Sequence, residues 1–217
     1  MAIGVKICGI TTTDAVEAAV AAGAQFGGLV FHPKSPRFVP LEQAALLADR
    51  MRGRLKIVAL IADMDDARIE ALVAAVRPDL LQLHGGESAR RVADIRGRFG
   101  LPVIKALAVA QASDFDAVAE FESVADMLMF DAQPPRGAER AGGHGAAFDW
   151  TLLDGRTFGK PWFLAGGLTP DNVGRAAVLS QAALVDVSSG VESAPGVKDA
   201  AKIAAFINAT KQPAQSA

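Results

Sequence analysis

The groups in this chain best suited to proton chemistry stand at the ends of short apolar runs. Cys8 is the only cysteine among 217 residues; it closes the run 5–8, and Gly9 follows at once. Lys6 lies two residues earlier, so in a strand it shares a face with Cys8, where an ammonium favours the thiolate. Such a thiol suits a nucleophile or a proton-abstracting base. A free cysteine is also commonly a small buried hydrophobe, and Lys6 equally suits pairing with a carboxylate. Asp131 closes the run Met127-Leu128-Met129-Phe130. A carboxyl in so apolar a setting suits a general acid, the alternative being a turn or cap residue. Arg37 ends the segment His32-Pro33-Lys34-Ser35-Pro36 and offers a fork for a carboxylate or phosphate, unless it is simply solvated. Gln82 and His84 share a face at the end of 80–83, with a packing or supporting role expected for His84. Asp186 and Lys6 are read as supporting residues too. Gly166-Gly167 and Ser189-Gly190 follow later runs, where backbone amides can approach an anion. Gly142-Gly143-His144-Gly145 is a third candidate for an anion-facing or lid segment.

These residues need elements that bring them to one place. Eight strand-like runs occur, at 5–8, 26–31, 57–61, 80–83, 102–107, 127–131, 162–165 and 183–187. Most are continuously apolar, as in strands buried on both faces of a parallel sheet. Helical patterns lie between them. Asp14 with Glu17 suggests a capping box opening 14–22, which Gly23 stops. The segments 41–51, 66–76 and 87–99 follow, then 114–124, which carries the weakest pattern. Thr169 before Pro170 reads as an N-cap, and 198–210 as a closing helix. Alternating units of this number predict a single-domain α/β fold, a (β/α)8 barrel over residues 1–210 with a short polar tail at 211–217. A doubly wound sheet is disfavoured because no G-x-G-x-x-G follows the first run. In a barrel every candidate above sits where strands end and loops begin. The Pro- and Gly-rich stretch 133–145 is expected to be a lid over the mouth.

Composition narrows the function classes. The chain is 51% hydrophobic and 21% charged with a net charge of −2, so it can bury a core and advertises no nucleic-acid partner. Its apolar runs are far shorter than a bilayer span, no signal peptide is evident, and no disulfide can form within the chain. A cytoplasmic, stand-alone protein is expected, as a monomer, with a homodimer as the alternative.

Taken in order, Lys6-Ile7-Cys8-Gly9-Ile10-Thr11, Pro33-Lys34-Ser35-Pro36-Arg37, Leu81-Gln82-Leu83-His84-Gly85, Phe130-Asp131, Gly142-Gly143-x-Gly145 with Phe148-Asp149-Trp150, Ala165-Gly166-Gly167-Leu168 and Val185-Asp186-Val187-Ser188-Ser189-Gly190-Val191-Glu192 carry a resemblance over nearly the whole chain. The sequence closely resembles the phosphoribosylanthranilate isomerase family of tryptophan biosynthesis. The resemblance implies an Amadori rearrangement of N-(5-phosphoribosyl)anthranilate to 1-(2-carboxyphenylamino)-1-deoxyribulose 5-phosphate. It implies no metal and no organic cofactor, and a small phosphorylated substrate as the partner. It further implies Asp131 as general acid, Cys8 as general base, Arg37 on the anthranilate carboxylate, and the amides around Gly166, Gly167, Ser189 and Gly190 on the phosphate. Two positions depart from the family pattern: His144 where Thr or Ser is usual, and Ala62-Asp63-Met64 where an Asn often follows the third strand. Two rivals are another sugar-phosphate isomerase on a similar barrel and a catalytically dead barrel that senses phosphorylated ligands. The former would be expected to show carboxylate pairs or metal ligands at the strand ends, and the intact Cys8 and Asp131 argue against the latter.

Overall fold

The computed structural model describes residues 3–133 and 147–211. Eight parallel strands close into a barrel in sequence order: β1 (Gly4–Cys8), β2 (Phe26–Val30), β3 (Lys56–Ile61), β4 (Leu80–Leu83), β5 (Val103–Val109), β6 (Met127–Ala132), β7 (Trp162–Leu164) and β8 (Leu184–Val187). Closure is by β1 on β8, with Lys6 opposite Asp186. The helices are α1 (Thr13–Ala22), α2 (Leu41–Met51), α3 (Asp66–Val76), α4 (Ala89–Phe99), α5 (Val118–Glu122), α6 (Val173–Ser180) and α7 (Ala200–Lys211). The (β/α)8 expectation holds, and every expected strand is present.

Alternation along the strands makes two cores. Residues facing the helices form the larger one, including Val5, Ile7, Leu81, Leu83, Leu128 and Phe130. Residues facing inward form a second, with Val58, Leu80, Ile104, Met129 and Phe163. Phe26 meets Phe163 edge-on at 5.3 Å inside the barrel. Further along the same inward faces toward the C-terminal ends stand Lys6, Gln82, Asp131 and Asp186, all buried. The barrel is thus dry below and chemically polar at its mouth.

Helix ends differ from expectation in instructive ways. Thr12, not Asp14, caps α1 by accepting from Ala15 N at 3.2 Å. Glu17 turns outward to Arg54 at 2.7 Å. Ser88 caps α4, which frees Glu87 to turn inward as a buried residue. The weak segment 114–124 breaks into a 3₁₀ turn, Ala112–Phe115, and the short α5. Thr169 does not cap a helix: its N–H donates to Asn172 Oδ1 at 2.8 Å, and α6 begins only at Val173. The unit after β6 contributes a 3₁₀ turn, Trp150–Leu153, among the described residues. Lys198 is not helical. It lies in a small antiparallel pair, β9 (Glu192–Ala194) with β10 (Val197–Lys198), that precedes α7. The expected lid and its His144 lie outside the described residues, apart from Gln133, as does the tail after Lys211.

Candidate active site

Cys8 ends β1 facing inward and is buried. Its surroundings are built by small residues. A Cβ added to Gly28 of β2 would lie 3.1 Å from Lys6 Nζ and 3.3 Å from Cys8 Sγ, so a larger residue there would crowd the ammonium and the thiol. Lys6 Nζ donates to Asp186 Oδ1 at 2.9 Å. Burial works to lower the Lys6 pKa, but Asp186 and Cys8 hold it above its ordinary value, so Lys6 stays charged. The expected consequence for Cys8 is only partly met. Lys6 does pull the thiol down, but burial outweighs it and pushes Cys8 above its ordinary value.

Arg37 arrives from the loop after β2 and is buried. Gly9, with φ +77°, lets it pass: a Cβ there would stand 2.5 Å from Arg37 Cδ. Arg37 Nε and Nη2 donate to Glu192 Oε1 and Oε2 at 2.7 and 2.8 Å. That bidentate clamp was not read from the sequence. It occupies two of the three guanidinium nitrogens and leaves Nη1 for a ligand. Lys198 Nζ donates to Glu192 Oε1 at 2.6 Å. Burial works to raise the Glu192 pKa, but the bonds from Arg37 and the ammonium of Lys198 hold it below the ordinary carboxylate value.

Asp131 lies on β6, three strands round the barrel from β1, and is 7% exposed. Its Oδ1 accepts from Ala132 N at 2.9 Å, and its Oδ2 is 3.2 Å from His84 Nε2. Gln82 Nε2 lies 3.0 Å from His84 Nδ1. With that amide as donor, the neutral imidazole carries its proton on Nε2 and presents it to Asp131. Gln82 Oε1 is buried without a partner among the described residues. The β4 loop that carries His84 is tied from outside the barrel. Lys105 Nζ donates to Glu87 Oε2 at 2.7 Å and to Gly85 O at 2.8 Å. Glu87 in turn accepts from Asp63 N and Gly85 N. Asp63, one of the departures from the family pattern, takes φ +48°, a left-handed conformation that Asp and Asn tolerate better than most residues. Its Oδ1 accepts from Gly86 N at 2.9 Å, binding the β3 loop to the β4 loop.

The two glycine-bearing loops come together. Gly166 has φ +84°, and a Cβ there would stand 2.5 Å from Ala132 N and 3.0 Å from Asp131 Oδ1. It therefore makes room for the acid as well as opening the loop after β7. Asn172 Nδ2 donates to Gly167 O at 2.9 Å and fixes that loop. A Cβ on Gly190 would collide with the Leu168 carbonyl, so the loops after β7 and β8 touch. Ser189 opens a 3₁₀ turn, Ser189–Val191, whose first N–H groups have no partner within the turn. Among the described residues, no group of three or more His, Cys, Asp or Glu side chains is arranged to hold a metal ion.

The arrangement sets a thiol and a carboxyl on separate walls of one polar mouth, with an arginine beside the thiol and amides beside the carboxyl. A proton can be given at one wall and taken at the other. The chain as a whole is similar to known proteins. Residues 5–209 match the family model described as N-(5'phosphoribosyl)anthranilate (PRA) isomerase. A protein of Paramagnetospirillum magneticum bearing the name N-(5'-phosphoribosyl)anthranilate isomerase is 53% identical over 211 residues, 97% of this chain and 98% of that protein. The crystal structure of phosphoribosyl anthranilate isomerase from Thermotoga maritima superposes with a TM-score of 0.86 at 33% identity, over 96% of this chain and 98% of the other. A further crystal structure of such an isomerase, in complex with reduced 1-(o-carboxyphenylamino)-1-deoxyribulose 5-phosphate, superposes with a TM-score of 0.82 at 30% identity over 96% and 98% of the two chains.

Proposed function

The chain belongs to the N-(5'-phosphoribosyl)anthranilate isomerase family, and we propose that Asp131 and Cys8 are the acid and base of its reaction. It catalyses the Amadori rearrangement of N-(5'-phosphoribosyl)anthranilate in tryptophan biosynthesis. The observation that carries the assignment of roles is the separation of a hydrogen-bonded carboxyl on β6 from a buried thiol on β1 at one mouth.

Asp131 gives its proton to the ribose ring oxygen as the bond from that oxygen to C1' breaks. The amine lone pair moves into a C1'–N double bond, and the ring opens to a Schiff base. Donors already point at the carboxylate so formed: Ala132 N–H at Oδ1 and His84 Nε2 at Oδ2. Such fixed donors stabilise charge where it develops without reorganisation. Cys8, as thiolate, takes the proton from C2', and the electron pair forms the enol-amine that gives the ketose. Arg37, through Nη1, holds the anthranilate carboxylate. The amides of Gly167, Ser189 and Gly190 hold the phosphate, with Gly166 opening that loop, and anchor the substrate away from the reacting atoms. Lys6, Asp186 and His84 support the two proton-transfer groups. The substrate is one small phosphorylated molecule.

Among the described residues no helix is long and apolar enough to cross a membrane, and we assign the protein to the cytoplasm as a monomer. Light scattering should return a mass near 22.5 kDa; twice that mass overturns the monomer. The assignment of the acid is tested by generating the substrate in situ with a chelator present and following loss of its anthranilate-type fluorescence. Rapid decay with wild type and almost none with Asp131→Asn, at equal protein, is expected. Near-normal kcat in the variant removes Asp131 from the acid role.

A further inference from the structure

We propose that Lys198 is a positioning residue for the Cys8 base: its buried ammonium supplies the cation that a Cys8 thiolate balances. The proposal rests on Cys8 being the base.

The hairpin after β8 exists to deliver this side chain. In β9–β10 register, Lys198 stands opposite Glu192. The turn between them contains Gly196 at φ +82°, where a Cβ would collide with the Pro36 carbonyl. Thr11 Oγ1 donates to Gly196 O at 3.1 Å. The hairpin is therefore fastened to the loop after β1 and the loop after β2, the two loops that flank Cys8. The Lys198 side chain is 1% exposed. Its Nζ donates to Ser188 O at 3.1 Å and reaches Ser188 Oγ at 3.4 Å, besides the bond to Glu192. Ser188 Oγ in turn donates to Cys8 O at 3.1 Å. One residue thus joins the lysine to the cysteine backbone.

The charges around the thiol come from every element packed against it. β1 gives Lys6, β8 Asp186 and the hairpin Lys198; Lys198 in turn holds Glu192, which also clamps Arg37 from the β2 loop. Lys202 of α7 closes the cluster from the solvent side on Glu192 O at 2.7 Å. His84 and Asp131 pair with each other on another wall. The buried cluster beside Cys8 holds three cations, Lys6, Arg37 and Lys198, and two carboxylates, Asp186 and Glu192. Lys6 is matched by Asp186, and Arg37 by Glu192. Lys198 shares Glu192 with Arg37, so one positive charge is left over in a nearly water-free place. A thiolate at Cys8 neutralises it; a thiol leaves it standing. Lys198 accordingly pulls the Cys8 pKa down against burial, as Lys6 does. Burial depresses Lys198 itself, and Glu192 resists this. A purely structural lysine, pinning the β8 loop through Ser188 O, would need no such charge.

The chain has one cysteine and no tyrosine, so thiolate absorbance in the far ultraviolet titrates Cys8 alone. Wild type, Lys198→Met, Lys198→Gln and Lys198→Arg are titrated with pH, and kcat/KM is measured across the same range. For the Met and Gln variants the expected midpoint rises by about one pH unit or more, roughly tenfold less thiolate at a given pH. A transition displaced beyond the pH at which the protein stays folded counts the same way. The rising limb of kcat/KM moves with it, and Lys198→Arg keeps both near wild type. If Lys198→Met does not fold, Lys198→Gln, which keeps a donor for Ser188 O, decides. An unmoved midpoint with reduced kcat/KM overturns the proposal and leaves a structural lysine. A moved midpoint with an unmoved rate limb overturns it as well. Failure of the underlying reading looks different: Cys8→Ala then retains turnover, whatever Lys198 does to the titration.

Discussion

At Cys8, the proposed base, two influences oppose each other, and on that reading their balance sets how activity depends on pH. Burial raises the thiol, and the nearby ammoniums lower it without cancelling the effect of burial. The base form therefore accumulates only above the ordinary thiol range. As pH rises and the thiolate forms, kcat/KM should climb on an alkaline limb. A plateau already reached at neutral pH, with Cys8 still protonated by absorbance, contradicts this. Cys8→Ser should keep a small residue of activity and Cys8→Ala almost none, a hydroxyl being the poorer base; full activity in Cys8→Ala returns the thiol to packing. Arg37 poses a separate question, because Glu192 already occupies two of its nitrogens. A pre-clamped fork presents Nη1 to substrate in one orientation. Arg37→Ala should chiefly raise KM, tenfold or more for a charge-assisted bond worth about 1.5–3 kcal/mol. Loss of kcat at unchanged KM would place Arg37 in the transition state alone.

At the scale of elements, the loops after β7 and β8, the proposed phosphate site, touch at Gly190 and Leu168. Gly190→Ala must push them apart, since backbone and not a flexible side-chain end stands in the way. KM for the substrate and the inhibition constant for inorganic phosphate should both rise about tenfold or more, as when a ligand loses a charge-assisted hydrogen bond. Unchanged phosphate inhibition would move the phosphate away from Gly190. The same elements show what was legible before the fold was known. Strand ends were readable because continuous apolar runs stop at Cys8, Asp131 and Gly166, and a barrel puts its chemistry there. Lys6 was readable beside Cys8 from strand alternation, but the partners supplied by loops were not. The sequence pattern places Glu87 at the start of a helix, yet Ser88 takes the cap and Glu87 turns to the buried Lys105. Lys198 looked like the first turn of a helix, and only the closing of a two-stranded hairpin over distant loops gives it its place. Pairings made by loops and turns leave no local period to read. The signals available were small: Gly196 ahead of Val197-Lys198, and Gly28 opposite the cysteine, each a glycine whose reason lies in another segment.

At the scale of the whole barrel, three buried charge knots among the described residues fasten it where different units meet. Lys6 with Asp186 ties β1 to β8 at the closing seam. Arg37 and Lys198 share Glu192, tying the β2 loop to the hairpin. Lys105 with Glu87 ties β5 to the β4 loop, with Phe121 of α5 lying 5.7 Å from the ammonium. Burial tends to raise Glu87 and Glu192, but their cationic and N–H partners win and hold both below the ordinary carboxylate value. A carboxylate with a depressed folded pKa adds stability that is fully present above its unfolded pKa. That stability is lost as pH falls through the folded value. The barrel should therefore keep its unfolding free energy from neutral pH down to about pH 5, then lose it steeply below about pH 4. Glu87→Gln separates this from general acid sensitivity. At neutral pH it strands a buried Lys105 ammonium and should cost on the order of 3 kcal/mol. Under acid the wild-type Glu87 is itself protonated and leaves the same ammonium unmatched. Urea unfolding across the range should show the two proteins far apart at neutral pH and converging as pH falls. Parallel curves would mean that the Glu87–Lys105 pair does not couple protonation to folding, and that the acid response arises at Glu192 or elsewhere.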